Sequence, residues 1–302
     1  MRNSAVLGPP LAHEALHLTI NGALTIDASA MISCDARGFA AGAGPGAGRS
    51  SFEGSGAGHG GAGGFNTRRS EGTTYGSFTQ PTTMGSGGGN DINISGASGG
   101  RGGGVIRLTV NGEATVDGAI SANGAPSGTS GTPGGGAGGS LWISTDRLSG
   151  SGEIRANGAA GWSVGGEGGG GRIAIETPDW DFDDTRVHAH GAAGPQNGGA
   201  GTVYLSRAGA NTLIIDNGGA SPNDGITELT GPATVDGDLV VRNEGRLGPR
   251  WLDDSLHLTV TGNATIEPTG AITADGRGHP AAQGPGAGRS SFEGSGAGHG
   301  GA

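Results

Sequence analysis

Residues 1–62 return as residues 241–302 at a constant offset of 240, with no insertion or deletion. About 36 of the 62 aligned pairs are identical, and the last 19, Gly44–Ala62 against Gly284–Ala302, match without exception. Fixed-period self-similarity is the mark of repeat architectures, in which a unit cannot bury its apolar face alone and its neighbours complete the core. Residues 1–240 then read as one complete long repeat unit with a Gly-rich excursion over 39–104. Residues 241–302 read as the first quarter of the next unit, and a longer tandem array is the expected setting.

The composition narrows what such a unit can be. Glycine supplies 71 of 302 residues and aromatics only 4%, so a conventional core of large side chains is not expected. The glycines do not fall at every third place, which excludes collagen. A net charge of −10 argues against nucleic acid as a partner. All 17 basic residues are Arg, so no lysine is available as a catalytic base or Schiff-base former. The single Cys34 excludes an intrachain disulfide framework, and Ala274 stands in its place in the second copy, which suits a small core position. No apolar run approaches the ~18 residues that would span a membrane. The N-terminal stretch carries His13 and Glu14 and aligns with the interior of the chain, so it is not read as a secretion signal.

A shorter period runs inside the long one. Alternating apolar segments follow glycine runs at Val105–Val110, Ser140–Ile143, Arg172–Ile175 and Thr202–Leu205. Period-2 alternation means strands with one face buried. Aligning Ile106, Leu141, Ile173 and Val203 gives spacings of 35, 32 and 30 residues. A second series aligns Ile120, Ile154 and Val187, and a third short strand is centred on Ile26, Val116, Leu148, Phe182 and Ile266. The expected fold is therefore all-β: a right-handed parallel β-helix (solenoid) of about 30 residues and three short strands per coil, with Gly-rich loops. Columns of Ile106, Ile120, Leu141, Ile154, Ile173, Val187 and Val203 would point inward. The tracts Gly99–Gly104, Gly134–Gly139, Gly165–Gly171 and Gly198–Gly201 would lie above one another, either as loose loops or as extended three-per-turn helices exchanging backbone hydrogen bonds.

Candidate chemistry is sparse. Gly87–Ile92 is similar to a calcium-binding nonapeptide, but Ser86 takes one glycine place and there is one copy. Asp179, Asp181, Asp183 and Asp184 surround Trp180 and Phe182, which places alternate Asp residues on an outer strand face. Candidate metal ligands are thus Asp91, Asp181 and Asp183, with calcium the matching cation; each also reads as an ordinary turn or solvated residue, and no cofactor is called for. His188 and His190 share a strand face without an evident third ligand. Trp142, Trp162 and Trp180 could line a sugar groove or simply pack. No catalytic residues are assigned. The perfectly repeated loop nominates an assembly contact: Arg49, Phe52, Glu53 and His59, with their copies Arg289, Phe292, Glu293 and His299.

The run from Gly134 to Glu176, GGGAGGSLWISTDRLSGSGEIRANGAAG followed by GGEGGGGRIAIE, resembles glycine-rich repeat segments of very large bacterial extracellular or cell-surface β-helix proteins of adhesin or matrix type. The resemblance implies an exported, elongated, non-enzymatic protein that forms filaments or surface fibres. The corresponding functional expectation is a structural or adhesive repeat module that assembles by head-to-tail self-association, in contact with surface glycans at most. The alternative is a carbohydrate-binding or carbohydrate-active protein, which would need a groove of aromatics and carboxylates.

Overall fold

The computed structural model describes residues 4–9, 14–65, 72–222, 225–229, 232–249, 255–275, 277–278, 282–288, 295 and 297. Nineteen strands follow one another: Val6–Leu7 (β1), Leu16–Ile20 (β2), Leu24–Ile26 (β3), Met31–Ser33 (β4), Val105–Val116 (β5), Ala119–Ser121 (β6), Ser140–Ser149 (β7), Glu153–Arg155 (β8), Arg172–Thr177 (β9), Asp179–Asp181 (β10), Val187–His188 (β11), Thr202–Arg207 (β12), Ala210–Asp216 (β13), Ala233–Val235 (β14), Asp238–Arg242 (β15), Arg246–Leu247 (β16), Leu258–Val260 (β17), Ala264–Ile266 (β18) and Ala271–Ile272 (β19). Among the described residues the only helix is one 3-10 turn, Asp184–Arg186.

The strands form four sheets. A ten-stranded sheet runs β18-β15-β13-β12-β9-β7-β5-β2, with β10 added to β7 and β3 to β5. A five-stranded sheet runs β1-β4-β6-β8-β11, and β14-β17 and β16-β19 make two small ones. The alternation read from the sequence sets the register. Ile106, Leu141, Ile173 and Val203 lie side by side on β5, β7, β9 and β12. In the smaller sheet Ile32, Ile120, Ile154 and Val187 form a second row. Both rows point into one core, where Ile106, Ile120, Leu141, Ile154 and Ile173 have no exposed surface.

The right-handed parallel β-helix expected from the sequence is corrected on two points. First, the expected short strands fuse: β5 and β7 are 12 and 10 residues long and absorb the segments centred on Val116 and Leu148. Second, the large sheet is mixed. Strands β12 and β13 pair antiparallel, Val203 with Ile214 and Arg207 with Ala210. A helix of one hand never reverses its strands; here every strand beyond β12 in the large sheet runs the opposite way. The reversal is made by Ala208 and Gly209, both at positive φ (46° and 84°), which is the backbone of a two-residue hairpin turn whose twist matches the flanking strands.

The large sheet also carries a second core on its opposite face. Ile173, Ile175 and Val203 face the first core, whereas the alternate residues Ala174 and Tyr204 join Leu213, Ile215, Leu239 and Val241 in a second core. Successive residues of a strand point to opposite faces. The large sheet is therefore covered on both sides around β9 and β12, and its four leading residues in β9 are all buried. The chain is a mixed β-sheet assembly with two cores on opposite faces of one sheet.

The inside–outside assignment is testable at neighbouring positions. Ile154 is fully buried, while Arg155 points outward to pair with Glu153 at 2.9 Å. Ile154→Asp is expected to cost more than ~4 kcal/mol by placing an unpaired charge in the core, and Arg155→Ala less than ~1 kcal/mol. Thermal melts followed by circular dichroism should separate the two clearly; equal losses would contradict the assignment.

Candidate functional site

The excursion over 39–104 and the glycine tracts build one layer beside the sheets. The hydrogen bonds show how. From Gly134 to Gly139, Gly134 and Ala137 donate to the carbonyls of Gly89 and Ser86; Gly135 and Gly138 donate to Gly166 and Gly169; Gly136 and Gly139 donate to Ala125 and Ala122. The same neighbour returns at every third residue. A β-strand would alternate between two neighbours, whereas an extended three-per-turn helix addresses three. The next tract repeats the rule: Gly166 and Gly169 donate to Gly54 and Ala57, Glu167 and Gly170 to Gln196 and Gly199, Gly168 and Gly171 to Ala159 and Ala156. Of the two readings of these tracts, the extended helices exchanging backbone hydrogen bonds describe this layer. Its buried N–H and C=O groups are satisfied by one another, which side chains would prevent. A Cβ on Gly136 would collide with the Arg101 carbonyl, and one on Gly168 with the Gly136 carbonyl.

Polar side chains fasten this layer to the sheets. His59 is fully buried; its Nδ1 lies 2.8 Å from the Gly138 carbonyl and its Nε2 2.8 Å from Thr83 Oγ1. Its ring packs on Tyr75 at 4.7 Å between centroids. Burial, aided by the nearby Arg172 cation, lowers the His59 pKa to about 3, so the ring is neutral. Arg172, 1% exposed at the start of β9, donates from Nε to the Tyr75 carbonyl at 2.7 Å and from a terminal nitrogen to Thr202 Oγ1 at 3.2 Å. Burial lowers its pKa to about 10, which leaves it charged. Tyr75 hydrogen-bonds Ser86 at 2.7 Å, and Ser140 donates to the Thr83 carbonyl at 2.6 Å.

A buried acid sits among the tracts. Glu167 is 1% exposed, its backbone N–H donates to Gln196, and its carbonyl accepts from Gly64. Its Oε2 accepts from the Gly161 N–H at 2.6 Å. Desolvation pushes its pKa up to about 7, against the smaller lowering effect of that hydrogen bond.

The residues nominated from the sequence are distributed unevenly. In the repeated loop Arg49 and Phe52 are exposed, Phe52 by 54%, and Glu53 is half-buried. His59 belongs to the interior fastening, so it is withdrawn as a contact group. Arg289, Phe292, Glu293 and His299 lie outside the described residues. The three metal candidates are dispersed and engaged. Asp91 caps a turn at Asn93 and accepts from Thr132; Asp181 pairs with Arg147 at 2.6 Å; Asp183 caps the 3-10 turn through Thr185. Among the described residues no group of three or more His, Cys, Asp or Glu side chains is placed to hold a metal. The His188 and His190 rings lie 4.8 Å apart, tilted by 56°, with Asp216 at 3.5 Å from His190. The tryptophans do not share a groove: Trp142 lies under Arg107 and donates to Glu176, Trp180 lies under Arg207, and Trp162 is 46% exposed elsewhere. The sequence reading passed over Arg172 and Glu167. A lone charge ending or interrupting a glycine tract is the only signal either one gave.

Two outcomes follow for the layer. Gly168→Ala or Gly136→Ala is expected to destabilise the fold by ~3 kcal/mol or more through overpacking, whereas Gly22→Ala, which meets no atom within 4 Å, should be neutral. Denaturant titration of the three variants decides the point. For Glu167 the folded-state pKa is raised above the ordinary 4.5, so the stability held by its protonated form is full below that value and is lost as pH rises through about 7. Glu167→Gln, which keeps a neutral acceptor for Gly161, should match the parent near pH 4.5 and melt at a higher temperature than the parent at pH 8. A variant–parent difference that is independent of pH would show that the acid does not titrate in the fold.

No protein-family model matches the chain, and no curated protein or solved structure compared with it matches either.

Proposed function

We propose that the chain is a structural module of an extracellular or cell-surface filament, of the kind suggested by its likeness to glycine-rich repeats of bacterial surface proteins, and that units associate head to tail. The observation that supports this most is the return of one strand arrangement at the 240-residue offset. Val6–Leu7 pairs with Met31–Ile32, and Arg246–Leu247 pairs with Ala271–Ile272 in the same register. A strand arrangement that recurs at a 240-residue spacing lets one unit follow another without a new kind of contact. A heterologous contact of this type does not close on itself and generates a fibre. The cohesive energy of the layer lies in backbone contacts that allow no side chains, which favours a load-bearing role over a site that must rearrange.

Purified protein should scatter light increasingly with concentration and show elongated particles by electron microscopy. A compact monomer at all concentrations, or cleavage of a polysaccharide, would overturn the reading.

A further inference from the structure

The turns that follow β4, β6, β8 and β11 are tied to one another by side chains. Asp35 accepts from the Asn123 N–H at 2.6 Å, Asn123 from the Asn157 N–H at 2.9 Å, and Asn157 from the His190 N–H at 2.9 Å. Each side chain reaches forward to the next turn. At His190 this ladder stops, and the Gly191 N–H donates instead to Asn217, whose side chain reaches back from the far side at 2.9 Å. The imidazole of His190 therefore lies against the reversed part of the large sheet. Its Nε2 is 3.5 Å from Asp216 at the end of β13, and a Cβ on Gly218 would stand 2.6 Å from its Nδ1. The half-buried ring of His188 lies beside it, 4.8 Å away.

This is a poor place for two further positive charges. The charged groups facing the pair are Glu153 and Arg155 on β8, Asp183 and Arg186 at the 3-10 turn, Asp216 on β13 and Arg242 on β15. Three carboxylates and three guanidinium groups already balance. Each carboxylate is also engaged: Glu153 with Arg155 at 2.9 Å, Asp183 with Thr185, and Asp216 with Arg242 at 2.7 Å and the Gly218 N–H at 2.8 Å. A first proton can sit on His190, facing Asp216. A second, on His188, meets that imidazolium together with Arg155 and Arg186. Burial, ahead of these charges, holds both imidazoles below their ordinary value.

We infer that His188 and His190 form an acid-sensitive clasp between the parallel strands and the reversed ones, closed while both rings are neutral and loosened when both are protonated. The clasp belongs to a single chain and stands apart from the filament reading. The part that opens is the junction of Gly191 with Asn217–Gly219, whose backbone is held by Asn217 and by the Asn243 carbonyl.

The stability supplied by the neutral pair is full above the ordinary imidazole value of 6.5 and is lost as pH falls through the lower folded value. Glu167 works in the opposite sense, so a local readout is needed. Hydrogen exchange of the full 302-residue chain, corrected for the intrinsic pH dependence of exchange, supplies it. From about pH 7.5 to about pH 4.5, protection of the Gly191, Asn217 and Gly219 amides should fall roughly tenfold, while β5 and β7 keep theirs. The His188→Gln/His190→Gln variant cannot charge and should hold its protection across this range. In His188→Gln alone, with one imidazole removed, the His190 ring followed by NMR should titrate at a higher pH than in the parent. No local fall, a fall shared with β5 and β7, a fall that persists in the double variant, or an unchanged His190 midpoint would each overturn the clasp.

Discussion

Close approach of backbones governs this structure. A chain with 4% aromatics has few large side chains to bury, and its glycine tracts answer with a layer in which N–H and C=O groups of neighbouring segments satisfy each other. Backbone order is costly, roughly 1–2 kcal/mol per residue, and glycine loses most. The layer offsets that cost because it is dense: the tracts 134–139 and 166–171 each donate to three neighbouring segments in turn. The apolar strands on either side of the large sheet then have a rigid partner to pack beside. Of the side chains that enter the layer, His59 does so in neutral form, Glu167 is held with its pKa raised by desolvation, and the buried Arg172 cation is held by a carbonyl and a hydroxyl.

Past the hairpin at Ala208–Gly209 the strands are apolar on both faces. Ile214 and Val240 continue the first core, whereas Leu213, Ile215, Leu239 and Val241 gather in the second. A stack growing in one sense needs apolar residues on one face only. Before the reversal, Ala174 and Tyr204, outward by the logic of the first core, are already inward for the second.

That distinction marks what the amino-acid order revealed. Strand positions and registers were legible because period-2 alternation flags them directly; Ile120, Ile154 and Val187 align as the spacing requires. The ordering of the glycine tracts was legible as an alternative, since repeated tracts at a fixed interval have to superpose. The direction of pairing was not. The turn that reverses it reads Arg-Ala-Gly-Ala, without the Asn-Gly or Asp-Gly that usually announces a two-residue hairpin. Alternation is blind to direction, because a strand shows the same two faces whichever way it runs. The merging of short strands into β5 and β7 was hidden similarly, by the Asn111–Gly112 pair, which looks like a turn and is passed through in extended conformation. At the candidate site, exposure was the missing quantity. His59 and Phe52 stand seven residues apart in one identical loop; one is sealed inside and the other is 54% exposed.

The identical loop can now be divided by cause. Gly46, Gly48, Gly54, Gly56, Gly58, Gly60 and Gly61 each lie against another segment's backbone, and Ser55, Ala57, His59 and Ala62 are buried. Substitution at any of these would strain the layer, so agreement between copies there follows from packing. Elsewhere the copies drift: Leu24 faces Ala264 in the alignment and Cys34 faces Ala274, exchanges that a strand edge absorbs. Arg49 and Phe52, identical in the second copy as Arg289 and Phe292, are exposed in the first, yet their backbones are tied in by Ser55 and Thr132.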